Sequence, residues 1–148
     1  MIIRKFTIED YNNLHRLLSD PQVMRFLEPP FSPEKTKTFL EEAGMSDPPL
    51  IYAVEEEGAF LGYVIYHDYD ADSVEIGWVL LPEYWNKGYA TKMTRMLISK
   101  AAADKKAVVI ECVPEQEATK HIAEKTGFVF EGTRDGLDHY MMGKHRAR

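Results

Sequence analysis

Three stretches in the middle of the chain restrict its folding more than any other feature. Residues 50–56, 60–69 and 73–81 are rich in β-branched and aromatic side chains. Only residues 57–59, with Glu57-Gly58, and Asp70-Ala71-Asp72 separate them, and these are residues that reverse a chain within a few positions. Strands joined so tightly run antiparallel, because a parallel connection needs a crossover of about a dozen residues. Three consecutive antiparallel strands are therefore expected here.

The flanking segments follow other periods. Ile2 to Phe6 reads as a short first strand. Thr7 then offers a capping hydroxyl, with Asp10 as a capping-box variant. Ile8, Tyr11, Leu14, Leu17 and Leu18 share one face of the helix that follows, which ends near Ser19-Asp20-Pro21. A second short helix is expected to carry Val23, Met24 and Leu27, stopped by Pro29-Pro30. Ser32 with Pro33 opens a helix through Phe39 and Leu40 to Gly44. Beyond the three strands, residues 88–103 read as a helix with Ala90, Met93, Leu97 and Ala101 on one side. Residues 107–113 form an apolar strand buried on both faces. Residues 115–125 form a helix closed by Gly127, and residues 128–131 and 139–142 supply the last strands. The class is α/β (α+β): a mixed, mostly antiparallel twisted sheet with helices on both faces.

The 148 residues suit one domain spanning 1–148. Eighteen Lys+Arg against 24 Asp+Glu leave a net charge of −6, which argues against gripping nucleic acid through counterion release. The lone Cys112 excludes an intramolecular disulfide and a cysteine metal cluster, and it reads as a small core residue. The five His show no ligand spacing and are expected at the surface. No apolar run approaches the ~18 residues that span a bilayer, and the N-terminus lacks the apolar core of a signal peptide. A cytoplasmic protein with no membrane partner is the expectation. The basic residues 144–148 read as a solvated terminus.

One segment carries chemistry. In Glu75-Ile-Gly-Trp-Val-Leu-Leu-Pro-Glu-Tyr-Trp-Asn-Lys-Gly-Tyr-Ala-Thr91 a strand enters a Gly-containing loop that opens a helix. Backbone N–H groups at a helix start, with the positive end of its dipole, make an anion site. Gly88 admits close approach to the backbone, Ala90 keeps the next turn small and Lys87 adds positive charge. Phosphate or pyrophosphate is the expected ligand group, although many α/β proteins build such a loop for packing alone. Neither a Walker-type G-x-x-x-x-G-K-[ST] nor a G-x-G-x-x-G fingerprint is present.

This segment resembles the acetyl-CoA-binding core of the GNAT superfamily of N-acetyltransferases, in particular its ribosomal-protein-alanine N-acetyltransferase branch. The resemblance extends to the opening Ile3-Arg4 through Met24 and to the closing Glu124-Lys-Thr-Gly-Phe-Val-Phe-Glu-Gly132. It implies a sheet splayed at its fourth and fifth strands and acetyl-CoA as co-substrate, with no metal. The family's Q/R-x-x-G-x-G/A loop falls on Trp85 through Ala90, with Trp85 departing from the general pattern. Backbone N–H groups of Asn86, Lys87, Gly88, Tyr89, Ala90 and Thr91 would hold the pyrophosphate. Val79 and Leu80 would pair with the pantetheine amides, and Gln116 stands where the family places a pantetheine-binding Asn.

The implied reaction is direct attack by a primary amine, of a protein N-terminus or a small molecule, on the thioester. Such an amine benefits from a base. Glu75 and Glu111, on the two strands expected to splay, are the candidates; each could equally be a solvated or paired structural carboxylate. Many relatives place a Tyr, protonating the leaving thiolate, where this chain has Ala123. Thr119 is the first substitute and Tyr140 the second, with Thr119 alternatively a helix cap. Acceptor-side walls are expected from the first two helices, the Asp47-Pro48-Pro49 loop and a loop over residues 132–138. A monomer or homodimer fits, and a non-catalytic acyl-CoA-binding module is the alternative reading.

Overall fold

In the computed structural model, which describes residues 1–143, seven strands form one mixed sheet. They are β1 (Ile2–Arg4), β2 (Ile51–Glu56), β3 (Ala59–Asp68), β4 (Ser73–Leu80), β5 (Ala107–Cys112), β6 (Val129–Arg134) and β7 (Leu137–Met142), in the order β1-β2-β3-β4-β5-β7-β6. The β4–β5 pair is parallel, while β1–β2, β2–β3, β5–β7 and β6–β7 are antiparallel. Four α-helices complete the fold: α1 (Tyr11–Leu18), α2 (Pro33–Phe39), α3 (Tyr89–Ala103) and α4 (Glu117–Lys125). Residues 144–148 lie outside the described residues. No helix among those described is long and apolar enough to cross a membrane.

The chain forms two compact units. Met1–Ile65 with Trp78–Lys87 make the first. Its core joins Leu14, Leu17 and Leu18 of α1, and Leu40 and Ala43 beyond α2, to Ile51, Ala53, Tyr63, Val79 and Leu81. Local chemistry starts these helices as the sequence indicates. Thr7 and Asp10 form a capping box, whose first turn is a 3-10 turn (Ile8–Asp10) leading into α1. Asp10 is buried because Arg4 clamps it with two bonds of 2.8 and 2.9 Å, and Arg4 reaches Glu55 at 2.7 Å. Ser32 caps α2 with Pro33 in its first turn, and a π turn over Leu40–Gly44 ends it.

The helix expected around Val23, Met24 and Leu27 does not form; residues 21–26 are successive turns. The Asp20 carboxylate accepts from the N–H of Gln22 at 2.8 Å and of Val23 at 3.4 Å, so the side chain closes a turn of its own.

The second unit comprises Tyr66–Gly77 and the chain from Gly88 onward. Here α3 and α4 lie against the face of Tyr66, Ile110, Cys112 and Tyr140: Tyr66 donates to Asp104 at 2.6 Å and Lys120 Nζ lies 3.6 Å from Asp138. Cys112 is buried, and burial pushes its thiol up to about 11. The loop expected over residues 132–138 is instead most of a hairpin. Asp135 and Gly136, both at positive φ, form a two-residue turn that carries β6 directly into β7.

Candidate active site

The end of β4 holds its backbone close to β3. Leu81 N–H donates to Leu61 O at 2.9 Å, and a Cβ on Gly62 would collide with the Val79 carbonyl oxygen. The Leu80 carbonyl accepts from the Trp85 indole Nε1 at 2.9 Å. Trp85, the departure from the family pattern, therefore ties the loop back onto the strand it leaves. Asn86 follows at φ +58, and Lys87 is exposed.

Gly88 is the N-cap of α3, left-handed at φ +85, and a Cβ there would meet nothing within 4 Å. The first helical bond runs from Lys92 N–H to Gly88 O at 3.1 Å, leaving the Ala90 and Thr91 N–H groups without intrahelical acceptors. No acidic residue stands in this first turn. An open backbone cradle at the start of a 15-residue helix fits a pyrophosphate.

The carboxylates lie in the second unit, on the face opposite α3 and α4. Parallel pairing of β4 with β5 runs from Ser73–Ala107 only to Glu75–Val109, although β5 continues to Cys112. Glu75 sits at that last pair and Glu111 two residues further along β5. Glu75 is half-buried with His67 Nε2 at 3.5 Å, and desolvation first, then the Glu111 charge, raises its carboxyl above the ordinary range. Glu111 Oε2 accepts from Tyr69 OH at 2.8 Å and lies 3.2 Å from His139 Nδ1. His139 is thus a buried neighbour of a candidate base, not the surface group expected. The 135–136 turn was the sequence signal that could have placed it, because that hairpin brings His139 onto β7 opposite Glu111.

On the helix-covered face, Thr119 occupies the third position of α4. The N-cap is Gln116, whose side chain makes no cap bond, so the capping alternative for Thr119 fails. Gln116 Oε1 instead accepts from Val113 N–H at 3.0 Å. Ala123 is fully buried, and so is Tyr140, which register sets on the face opposite Glu111. No group of His, Cys, Asp or Glu among the described residues could hold a metal ion.

The acetyltransferase (GNAT) domain model matches residues 1–129. The chain belongs to the GNAT family. This N-acetyltransferase, dependent on acetyl-CoA, is 26% identical over 137 residues to the uncharacterized N-acetyltransferase YnaD of Bacillus subtilis, covering 89% of this chain and 81% of the relative. A GNAT-family acetyltransferase from Bacillus anthracis superposes with a TM-score of 0.82 at 29% identity, over 94% of this chain and 90% of that one. The ribosomal-protein-alanine N-acetyltransferase from Brucella melitensis shares the fold, with a TM-score of 0.74, 20% identity and coverage of 96% and 99%.

Proposed function

We propose that this acetyltransferase acetylates a primary amine, of a protein N-terminus or a small molecule, with Glu75 as proton acceptor. Backbone N–H groups of residues 86–91 hold the pyrophosphate of acetyl-CoA, and Val79, Leu80 and Gln116 face its pantetheine arm. Glu75 takes one proton from the acceptor ammonium. The freed lone pair bonds to the thioester carbon, the C–S pair leaves with sulfur, and the second N–H proton ends on that sulfur. Thr119 serves as its route if one is needed. Residues 1–148 work as one domain in the cytoplasm, as a monomer or homodimer.

The observation that carries this reading is the half-buried Glu75 at the point where β4–β5 pairing stops, its carboxyl raised by burial and by Glu111. A group raised toward working pH is suited to exchange protons there. The resemblance to a ribosomal-protein-alanine N-acetyltransferase supports the peptide acceptor. The test is thiol release from acetyl-CoA with spermine, a peptide beginning with alanine and a simple alkylamine as acceptors. Release dependent on one of them is expected; saturable acetyl-CoA binding without release would make the protein a binding module.

A further inference from the structure

Glu111 is approached from two sides at only one of its oxygens. Tyr69 donates to Oε2 from the end of β3, and His139 Nδ1 stands 3.2 Å from the same atom. The His139 side chain is only 9% exposed, and Nδ1 makes no hydrogen bond of proper geometry. A buried polar atom short of a partner is costly to keep. Register explains how the ring comes to be there: His139 pairs with Glu111 across β5–β7 and with Gly132 across β6–β7. Together with Tyr69, Glu131 and Arg134 it lines a recess on this face. Glu75 and His67 complete the charged and titratable groups in the neighbourhood.

We infer that Tyr69, through its hydrogen bond to Oε2 of Glu111, and His139, through a ring nitrogen standing 3.2 Å from the same oxygen, are positioning residues that occupy that side of the carboxylate and so present its Oε1 to the ammonium of a cationic acceptor. The inference rests on the acetyl-transfer reading and adds a division of labour to it. Glu111 binds the acceptor's charge while Glu75 receives its proton. Two carboxylates with different neighbours are suited to two roles.

The experiment compares wild-type protein with Tyr69→Phe, His139→Leu and His139→Asn, using whichever amine of the acceptor panel wild type turns over fastest. Tyr69→Phe should raise the KM for that amine about tenfold, the scale of one charge-assisted hydrogen bond, and His139→Leu should raise it in the same direction. The KM for acetyl-CoA and kcat should stay unchanged. His139→Asn should restore the amine KM, because its amide N–H lies near the place of Nδ1. An unchanged amine KM in both disruptive variants would overturn the inference, and so would a loss confined to kcat. His139→Asn as impaired as His139→Leu would remove His139 from it. If His139→Leu does not fold, Tyr69→Phe decides, since Tyr69 is 40% exposed. Absence of thiol release by wild type with every amine would instead overturn the acetyl-transfer reading and this inference with it.

Discussion

Glu75 and Glu111 are the same side chain two positions out of step on neighbouring strands, and their surroundings set them apart. Glu75 is shielded from water and faces a second carboxylate, so its charged form is disfavoured. Glu75→Gln should lower turnover at neutral pH by roughly 10²-fold, the scale of general-base catalysis, with acetyl-CoA binding retained. The deficit should shrink as pH rises and the amine deprotonates unaided; a pH-independent loss would mean that Glu75 only positions the acceptor. Stability moves the other way. A carboxyl raised in the folded state binds its proton more tightly there than when unfolded, so stability falls as pH rises from the unfolded value through the folded one. The cost is felt wherever the folded carboxyl is ionised, and Gln removes it. Thermal melts should show Glu75→Gln at least as stable as wild type at pH 7, with the advantage vanishing in acid. Both carboxylates were legible as candidates from their strands. Tyr69, His67 and His139 were not, because no local pattern announces a partner on another strand.

At the scale of elements, two glycines, one in β3 against the end of β4 and one in the proposed coenzyme loop, resist a side chain for opposite reasons. A Cβ at Gly62 would strike the Val79 carbonyl oxygen, backbone that cannot yield without parting β3 from β4. Gly62→Ala should therefore cost more than about 2 kcal/mol of stability in denaturant titrations, as strained backbone substitutions do. Gly88 has open space around it, and only its left-handed φ resists a side chain. Gly88→Val should leave the fold intact at a cost of roughly 1–2 kcal/mol while coenzyme affinity collapses. Calorimetric titration that found wild-type affinity would remove the pyrophosphate from this loop. The helix start at Gly88 was readable because Gly, a small residue and an apolar period coincide there. Residues 21–26 misled because the apolar spacing and the Asp20 carboxylate, which accepts from the Gln22 and Val23 N–H groups as a helix cap does, both resemble a helix start, yet only successive turns follow.

At the scale of the whole molecule, ligand binding should appear as stability. Acetyl-CoA at a hundred times its Kd adds about 2.7 kcal/mol by mass action. For a chain of this length that raises Tm by roughly 5–10 °C. No shift in wild type would contradict coenzyme binding, and a full shift in Gly88→Val would contradict its placement. The sequence by itself determined the elements that local chemistry controls: the capping box at Thr7, the meander of β2 to β4 and the loop into α3. Each depends on residues within a few positions of one another. Tertiary structure alone decided which side chains share the acidic face. Tyr69 and Glu111 are 42 positions apart, and His139 joins them only through the β5–β7 register. A slip of one residue in that register would turn His139 to the helix-covered face. The hydrophobic alternation and the hairpin turn settle it together, and neither has meaning until the strands are paired.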